Sequence, residues 1–407
     1  MGFIQDYLSH TQIYESPTSF WKWSSYSAIS SVLRDSCWLP QGDNALYPNV
    51  YVLLLASSAI QRKGRPVKLC EELVTCVNNT KIISGRASIQ AVLDELSSAT
   101  TDPHTGNLVK GGSAILLAEE LAAAIVSDPS ALSILTDLYD YKANFTSRLR
   151  SRGKTSIQKV VFSMFGASNE ELLKSIYTQD AIYGGLLSRT FLVVPDEFRQ
   201  SNSLLSRNGT QNNRDAAKKS LVDKLKEISK LKGAFIFSEE AITEYESWYV
   251  PFRNSYKNKP DKSGILGRIH SSILKLAMIF TANELSLKVT KLHVELAIEE
   301  GMKLIPNYNQ FVIASGKSSI SEAGALLIQD LYIADEHKLS RKVVLRKHWA
   351  NFDAETLDKL VTTLQQGELL QVYVQGSETV YQLTDKALEL MGRKSSGVET
   401  SNRTKNT

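Results

Sequence analysis

Lys63, Glu119 and Glu120 are the side chains whose spacing best combines into chemistry. Lys63 follows the unbroken apolar run Val50–Ala56 (VYVLLLA) through the segment Ala56-Ser-Ser-Ala-Ile-Gln-Arg-Lys-Gly64. That is the strand-to-lysine length of the pattern G-x-x-x-x-G-K-[ST], in which backbone N–H groups and a lysine at a helix start hold phosphates. On this reading Ser57, Ser58, Arg62, Lys63 and Gly64 bind the phosphates of ATP. Both glycines of the pattern are replaced, and Gly64 stands where a hydroxyl normally ligates Mg²⁺. Read otherwise, Arg62, Lys63 and Arg65 are the basic start of a surface helix. Glu119 and Glu120 close a second apolar run, Ala114–Ala118. Hydrolysis needs one carboxylate to hold the metal and one to polarise the attacking water; Glu119 suits the first task and Glu120 the second. Two glutamates at this point would equally suit a helix N-terminus, where the dipole favours them.

Further residues fall in an order that extends this site. Asn169 ends the apolar run Val160–Phe165 plus Gly-Ala-Ser, where an amide can orient the lytic water or cap a helix. Arg189, in Leu-Leu-Ser-Arg-Thr-Phe, could stabilise transition-state charge on a neighbouring subunit's nucleotide. Arg268 opens the helical pattern GRIHSSILKLAMIF and could reach the γ-phosphate from above, or be an exposed helix-start arginine. Ser147–Thr155 reads Ser-Arg-Leu-Arg-Ser-Arg-Gly-Lys-Thr. Alternating basic residues around Gly153 predict a hairpin tip whose Arg148, Arg150, Arg152 and Lys154 contact phosphates without reading sequence, or else a solvated basic loop.

The elements that must position these residues are legible as apolar runs. Strands are expected at Val50–Leu55, Lys81–Ser84, Ser113–Ala118, Val160–Phe165 and Thr190–Val194. Helices are expected between them at Ser88–Ser97, Leu132–Tyr139 and Glu170–Ile176. Unbroken apolar strands alternating with helices predict an α/β fold with a parallel sheet covered on both faces. The segment 1–45, with Phe20, Trp21, Trp23, Tyr26 and Trp38, is expected to form helices that pack on the core, and 46–200 to be the nucleotide-binding core. The polar stretch Gln200–Arg214 reads as a linker into helices Asp215–Lys230, Ser238–Tyr256 and Gly267–Glu284, a lid over 201–318. A third unit, 319–392, reads as helices Ser321–Ile333, Lys342–His348 and Ala354–Gln366, then strands Leu369–Val374 and Thr379–Leu383. That is the order of a winged helix-turn-helix, with Arg341, Lys342, Arg346, Lys347 and His348 on or near its second helix. Such units bind duplex DNA or serve as protein–protein modules. The tail 393–407 is expected to be disordered.

Bulk properties narrow the classes. The 407 residues suit two or three domains. A net charge of +4 provides no whole-protein basic field, so any nucleic-acid contact must come from local clusters. Three cysteines, Cys37, Cys70 and Cys76, lack C-x-x-C spacing and read as buried thiols in a reducing compartment. The first residues carry no basic region followed by an apolar stretch, so no signal peptide is expected. The run Val50–Ala56 is far short of the ~20 residues of a membrane helix. A cytoplasmic protein without a membrane partner is expected.

The order of the site elements resembles the AAA+ helicase domains of phage, plasmid and mobile-element replication proteins, and the wider minichromosome-maintenance-like helicases. In those families an Arg-Lys loop can replace the glycine-lysine pair. Leu-Leu-Ser-Arg-Thr-Phe is similar to their arginine-finger motif, the strand ending Gly-Ala-Ser-Asn to their sensor-one strand, and the Arg268 helix to their sensor-two helix. The resemblance covers roughly residues 20–300; Gly64 and an acidic pair without aspartate depart from its pattern. It implies a P-loop NTPase fold with a helical lid and winged helix, ATP and Mg²⁺ as cofactors, and a homo-hexamer with single-stranded DNA in its central pore. The implied activity is ATP-dependent DNA unwinding, in a bacterial cytoplasm if phage- or mobile-element-encoded. The alternatives are a catalytically weak P-loop protein that initiates replication or recruits a helicase, and a regulator that uses the winged unit alone.

Overall fold

A computed structural model describes residues 2–56, 61–78, 80–85, 87–98, 100–101, 108–109, 112–121, 130–149, 153–169, 185–197, 199, 201, 211–257, 261, 264–308, 319–349 and 353–390. The chain divides into two compact units, Met1–Ser315 and Gly316–Thr407.

In the first unit, helices α1 (Phe3–Thr11) and α2 (Thr18–Leu33) precede a short hairpin, β1 (Cys37–Gln41) and β2 (Asn44–Leu46). Then follow β3 (Tyr51–Leu55), α3 (Gly64–Val77), β4 (Lys81–Ser84), α4 (Ile89–Ser97) and the small pair β5 (Thr100–Thr101) and β6 (Leu108–Val109). Next come β7 (Ser113–Ala118), α5 (Ala131–Tyr139), β8 (Lys142–Leu149), β9 (Gly153–Ser168) and β10 (Thr190–Val193). The unit continues with α6 (Gln211–Ser229), β11 (Gly233–Ala234), β12 (Ile236–Phe237), α7 (Glu239–Tyr256), α8 (Ile265–Asn283), β13 (Lys288–Val289) and α9 (Lys291–Met302).

The fold is α/β. Its central sheet runs β10-β3-β9-β7-β4, every neighbouring pair parallel, with β8 added antiparallel to the first half of β9. All five residues of β3 are buried, as the unbroken apolar run requires of a strand covered on both faces. β3 and β9 are neighbours whose onward connections lead to opposite edges, to β4 on one side and β10 on the other. A crevice at the carboxyl ends of such a pair is where ligands bind in open α/β sheets. The edge strand β10 is covered by Tyr308, whose hydroxyl donates to Thr190 O (2.6 Å) and accepts from Leu192 N (3.1 Å).

Helix α2 lies in the core rather than on it, with every residue from Trp23 to Leu33 buried. Its serines make this possible. Ser25, Ser27 and Ser31 return their hydroxyls to carbonyls of the preceding turn, and Ser24 donates to Pro66 O (2.8 Å) at the start of α3. Small satisfied side chains let α2 approach its neighbours without unpaired polar groups. Among the described residues, α8 alone is long and apolar enough to cross a membrane, and most of it is buried in this core.

Several elements differ from the sequence reading. Trp38 lies on a strand, β1, because Gly42 (φ 57°) and Asp43 make a two-residue turn into β2. Helix α6 begins at Gln211, inside the stretch read as a linker. The strand expected at Val160–Phe165 runs from Gly153 to Ser168, since its first half pairs with β8 and its second half with the sheet. The hairpin expected around Gly153 is formed by β8 and β9, with Gly153 opening β9 opposite Leu149. The expected helix at 170–176 and the tail from 393 lie outside the described residues. Cys37 and Cys70 are buried and Cys76 is exposed, so not all three thiols are core residues. Burial raises the Cys70 thiol and pushes Cys37 up to about 12, leaving both unreactive.

The second unit has its own core around Leu327, Leu331, Val344, Leu357, Leu360 and Tyr381. Helices α10 (Ser319–Ile333), α11 (Arg341–Lys347), α12 (Ala354–Gln366) and α13 (Asp385–Leu390) accompany β14 (Lys338–Ser340), β15 (Leu370–Gln375) and β16 (Glu378–Leu383). The three strands form an antiparallel sheet in the order β14-β16-β15. The strand β14 has no counterpart in the sequence reading; it is too short and too polar to stand out as a run.

Candidate functional site

The carboxyl ends of β3, β9 and β7 bring together residues far apart in sequence. Leu55 lies level with Ser168, and Ala118 with Gly166, so the loop after β3, the tip of β9 and the acidic pair after β7 share one height. Lys63 sits at the N-cap of α3. Its ammonium lies 3.5 Å from Glu120 Oε2 and 3.5 Å from the Ala56 carbonyl, and the side chain is only 11% exposed. The Ser168 hydroxyl donates to Glu120 Oε1 (3.1 Å), holding the same carboxylate from the other side. Asn169 follows at the tip of the strand that separates the lysine loop from the acidic pair.

Glu119 turns toward the start of α3. It pairs with Lys68 at 3.4 Å, one helical turn after Gly64. A Cβ built on Gly64 would run into the Glu119 carboxylate. The missing hydroxyl and this carboxylate therefore compete for one space, and the glycine leaves it to the carboxylate.

Arg62 occupies the position directly before the lysine, where the phosphate-loop pattern has glycine, and its φ is 45°. That is the left-handed region that glycine enters freely and other residues enter at a cost of about 1–2 kcal/mol. The loop keeps a glycine-like backbone without the glycine. Two contacts with the segment between α1 and α2 hold it: the Arg62 guanidinium pairs with Glu15 (2.6 Å), and the Ser16 hydroxyl donates to Arg62 O (3.1 Å). Ser57 and Ser58 lie outside the described residues.

Arg189 and Arg268 are not at this end of the sheet. Arg189 immediately precedes β10, whose Thr190 is level with Tyr51, the first residue of β3. From Tyr51 to Ala56 a strand rises roughly 17 Å at ~3.3 Å per residue. Arg189 bonds Asp140 Oδ2 (3.1 Å) and the Gly185 carbonyl (2.9 Å), while its buried Nε has no partner among the described residues. Arg268, near the start of α8, reaches the same aspartate at 4.0 Å. Burial and the nearby Arg189 lower its pKa, with Asp140 opposing. Arg268 thus stands beside Arg189 at the amino end instead of above Lys63, because α8 packs against the turn that carries Arg189.

The basic hairpin projects from the amino end too. Arg148 and Lys154 are cross-strand partners near its tip. Arg150 and Arg152 lie outside the described residues. In the second unit Arg341 is held by Asp358 and the Tyr381 hydroxyl, and Lys347 and His348 both pair with Asp330. Lys342 and Arg346, with Arg341 and the carboxylate Glu378, line an open groove of about 820 Å³ together with Leu345, Thr379 and Trp349. Trp349 is 81% exposed.

Two residues that the sequence reading passed over belong to these sites. Ser168 was legible as a hydroxyl at the end of an apolar strand. Asp140 carried no signal, since its partners come from distant segments. No protein-family model and no curated protein matches the chain.

Proposed function

We propose that this chain is an ATP-driven DNA translocase or helicase that hydrolyses ATP between subunits of a ring. The observation that carries the reading is the approach of Lys63 to Glu120, itself bonded to Ser168, at the carboxyl ends of three adjacent parallel strands. In this reading the chain folds as a P-loop NTPase. The triphosphate enters against the start of α3, and Lys63 exchanges its contact with Glu120 for the phosphate oxygens. Glu120, released from the lysine and still oriented by Ser168, accepts the proton of the attacking water, which the Asn169 amide helps to place. Mg²⁺ suits Glu119: this ion takes one or two carboxylates plus phosphate and water, and the carboxylate fills the space beside Gly64 where a hydroxyl would project. When bound, the ion neutralises charge developing on the phosphates.

Arg189 and Arg268 are too far along the sheet to serve the nucleotide of their own chain. Two guanidinium groups share one carboxylate, which leaves a surplus positive charge suited to a polyphosphate. Head-to-tail contact would present this end to the nucleotide of the next subunit, and repeated contacts of that kind close into rings. The resemblance in sequence makes the ring a hexamer. The basic hairpin, with Arg148, Arg150, Arg152 and Lys154, would line its pore and hold single-stranded DNA by its phosphates. The second unit is read as a winged helix in which Lys342, Arg346 and Trp349 face duplex DNA, since Arg341, Lys347 and His348 are occupied by carboxylates.

The test is hydrolysis by purified protein with Mg²⁺, with and without single-stranded DNA. DNA-stimulated turnover is expected, falling to background in Lys63→Ala and by about a thousandfold in Glu120→Gln, with nucleotide binding retained in the latter. Turnover equal in wild type and Lys63→Ala would end the motor reading. DNA binding of equal strength with and without nucleotide, and no hydrolysis, would favour the initiator or recruiting role instead.

A further inference from the structure

A buried lysine lies beneath the arginine pair. Lys275 of α8 is 2% exposed, yet among the described residues its ammonium faces no carboxylate at hydrogen-bond distance. It donates to both the backbone and side-chain oxygens of Asn49, each at 2.9 Å, and lies 3.8 Å from the centroid of the Tyr139 ring. Asn49, also buried, spends its amide on Tyr139 O (2.8 Å) and Phe162 O (2.9 Å). The adjacent Tyr51 hydroxyl donates to Leu135 O (2.9 Å). This pair therefore ties four segments together: the entry to β3, the end of α5, the middle of β9 and helix α8.

Burying an ammonium costs several kcal/mol, and an apolar side chain would fill the space more cheaply. What the network secures is position. Asp140 directly follows Tyr139, and Arg268 lies two helical turns before Lys275 on the same helix. Both therefore descend from groups that the lysine and asparagine hold in place, and Arg189 is anchored to Asp140.

We propose that Asn49 and Lys275 are positioning residues that fix the Asp140–Arg189–Arg268 cluster for delivery to the neighbouring subunit's nucleotide. The inference rests on the inter-subunit reading above. It predicts that Lys275→Met leaves the chain's own phosphate site intact while disabling its service to the next subunit. A displacement of about 1 Å at a catalytic group lowers kcat roughly a hundredfold.

Mixed rings provide the test. Lys275→Met alone should bind a fluorescent ATP analogue with wild-type affinity and lose hydrolysis about a hundredfold. Mixed one-to-one with Lys63→Ala, it should recover about a quarter of wild-type turnover, the fraction of head-to-tail contacts that join an intact loop to an intact arginine end. Arg189→Ala mixed with Lys63→Ala serves as the reference. Recovery in the reference but not with Lys275→Met would overturn the positioning role and leave the inter-subunit reading standing. Recovery in neither would overturn both. Should Lys275→Met fail to fold, Asn49→Asp replaces it: it keeps the acceptors for Lys275 and loses the donors to Tyr139 and Phe162, and the same mixture decides.

Discussion

At the carboxyl end of the central sheet the two described lysines face carboxylates: Lys63 faces Glu120, and Lys68 faces Glu119. At the amino end Arg189 and Arg268 divide one Asp140 between them, with Lys275 below. The first arrangement is balanced and can rearrange around an incoming polyanion. Among the described residues the second sets two guanidinium groups against one carboxylate. A strand-length separates the two ends, so in the proposed reading the arginine pair would serve the nucleotide of a neighbouring subunit.

This contrast breaks first at Arg189. Arg189→Ala should lower kcat about a thousandfold or more, with nucleotide affinity nearly unchanged, because the lost interaction is made only in the transition state. Loss of affinity to the same degree would mean that the arginine serves ground-state binding, and the division between the two ends would fail. Arg268→Ala should act in the same direction but less, roughly ten- to a hundredfold in single-turnover hydrolysis, since it stands farther from the shared aspartate. A larger effect than that of Arg189→Ala would reverse their roles.

The amino end also has a pH signature. Burial lowers the Lys275 ammonium to about 7 from an ordinary 10.5; Asp140 opposes the shift, and Arg268 and Arg189 reinforce it. Between those values the unfolded chain binds the proton that the folded chain releases. The lysine's contribution to stability is therefore smallest below pH 7 and rises with pH inside the window by about 1.4 kcal/mol per unit. Urea unfolding of wild type and Lys275→Met at pH 7.5 and 9 should show the wild type gaining on the variant; a pH-independent difference would contradict this. The smallest effect belongs to the loop. Arg62→Gly should stabilise the folded protein by about 1 kcal/mol through relief of the left-handed backbone, less a few tenths for the half-exposed Arg62–Glu15 pair. Destabilisation in thermal melts would show that Glu15 contributes more than the strain costs.

How far these ends were legible in the sequence follows from where the information lies. β3, β7 and β10 are largely apolar runs, and each appears within a residue of its expected bounds because strands buried on both faces leave little room for polar side chains; the edge strand β4 was legible from Ile82 and Ile83 alone. Lys63, Glu119 and Glu120 could be picked out because each closes or follows such a run. The end on which Arg268 falls could not be read, since that depends on strand order and on the seat of α8, both set by contacts between distant segments. Lys275 was equally hidden: a lysine within LKLAMIF looks like the wet side of an amphipathic helix until Asn49 is seen to face it. β1 and β2 are hidden because Trp38 and its aromatic neighbours upstream imitate one continuous helical pattern, which masks the turn residues Gly42-Asp43.

β9 runs unbroken through 16 residues, from the rim of the basic hairpin to the serine that holds Glu120. One end lies at the serine bonded to Glu120 and the other beside Arg148 and Lys154. Lys159, with φ 49°, marks the joint where the strand leaves the sheet for the hairpin. A strand clamped between two neighbours has little freedom to bend within the sheet. In the proposed motor, a shift that the departure of a phosphate imposes on its tip would pass along this strand toward the hairpin, changing direction at Lys159.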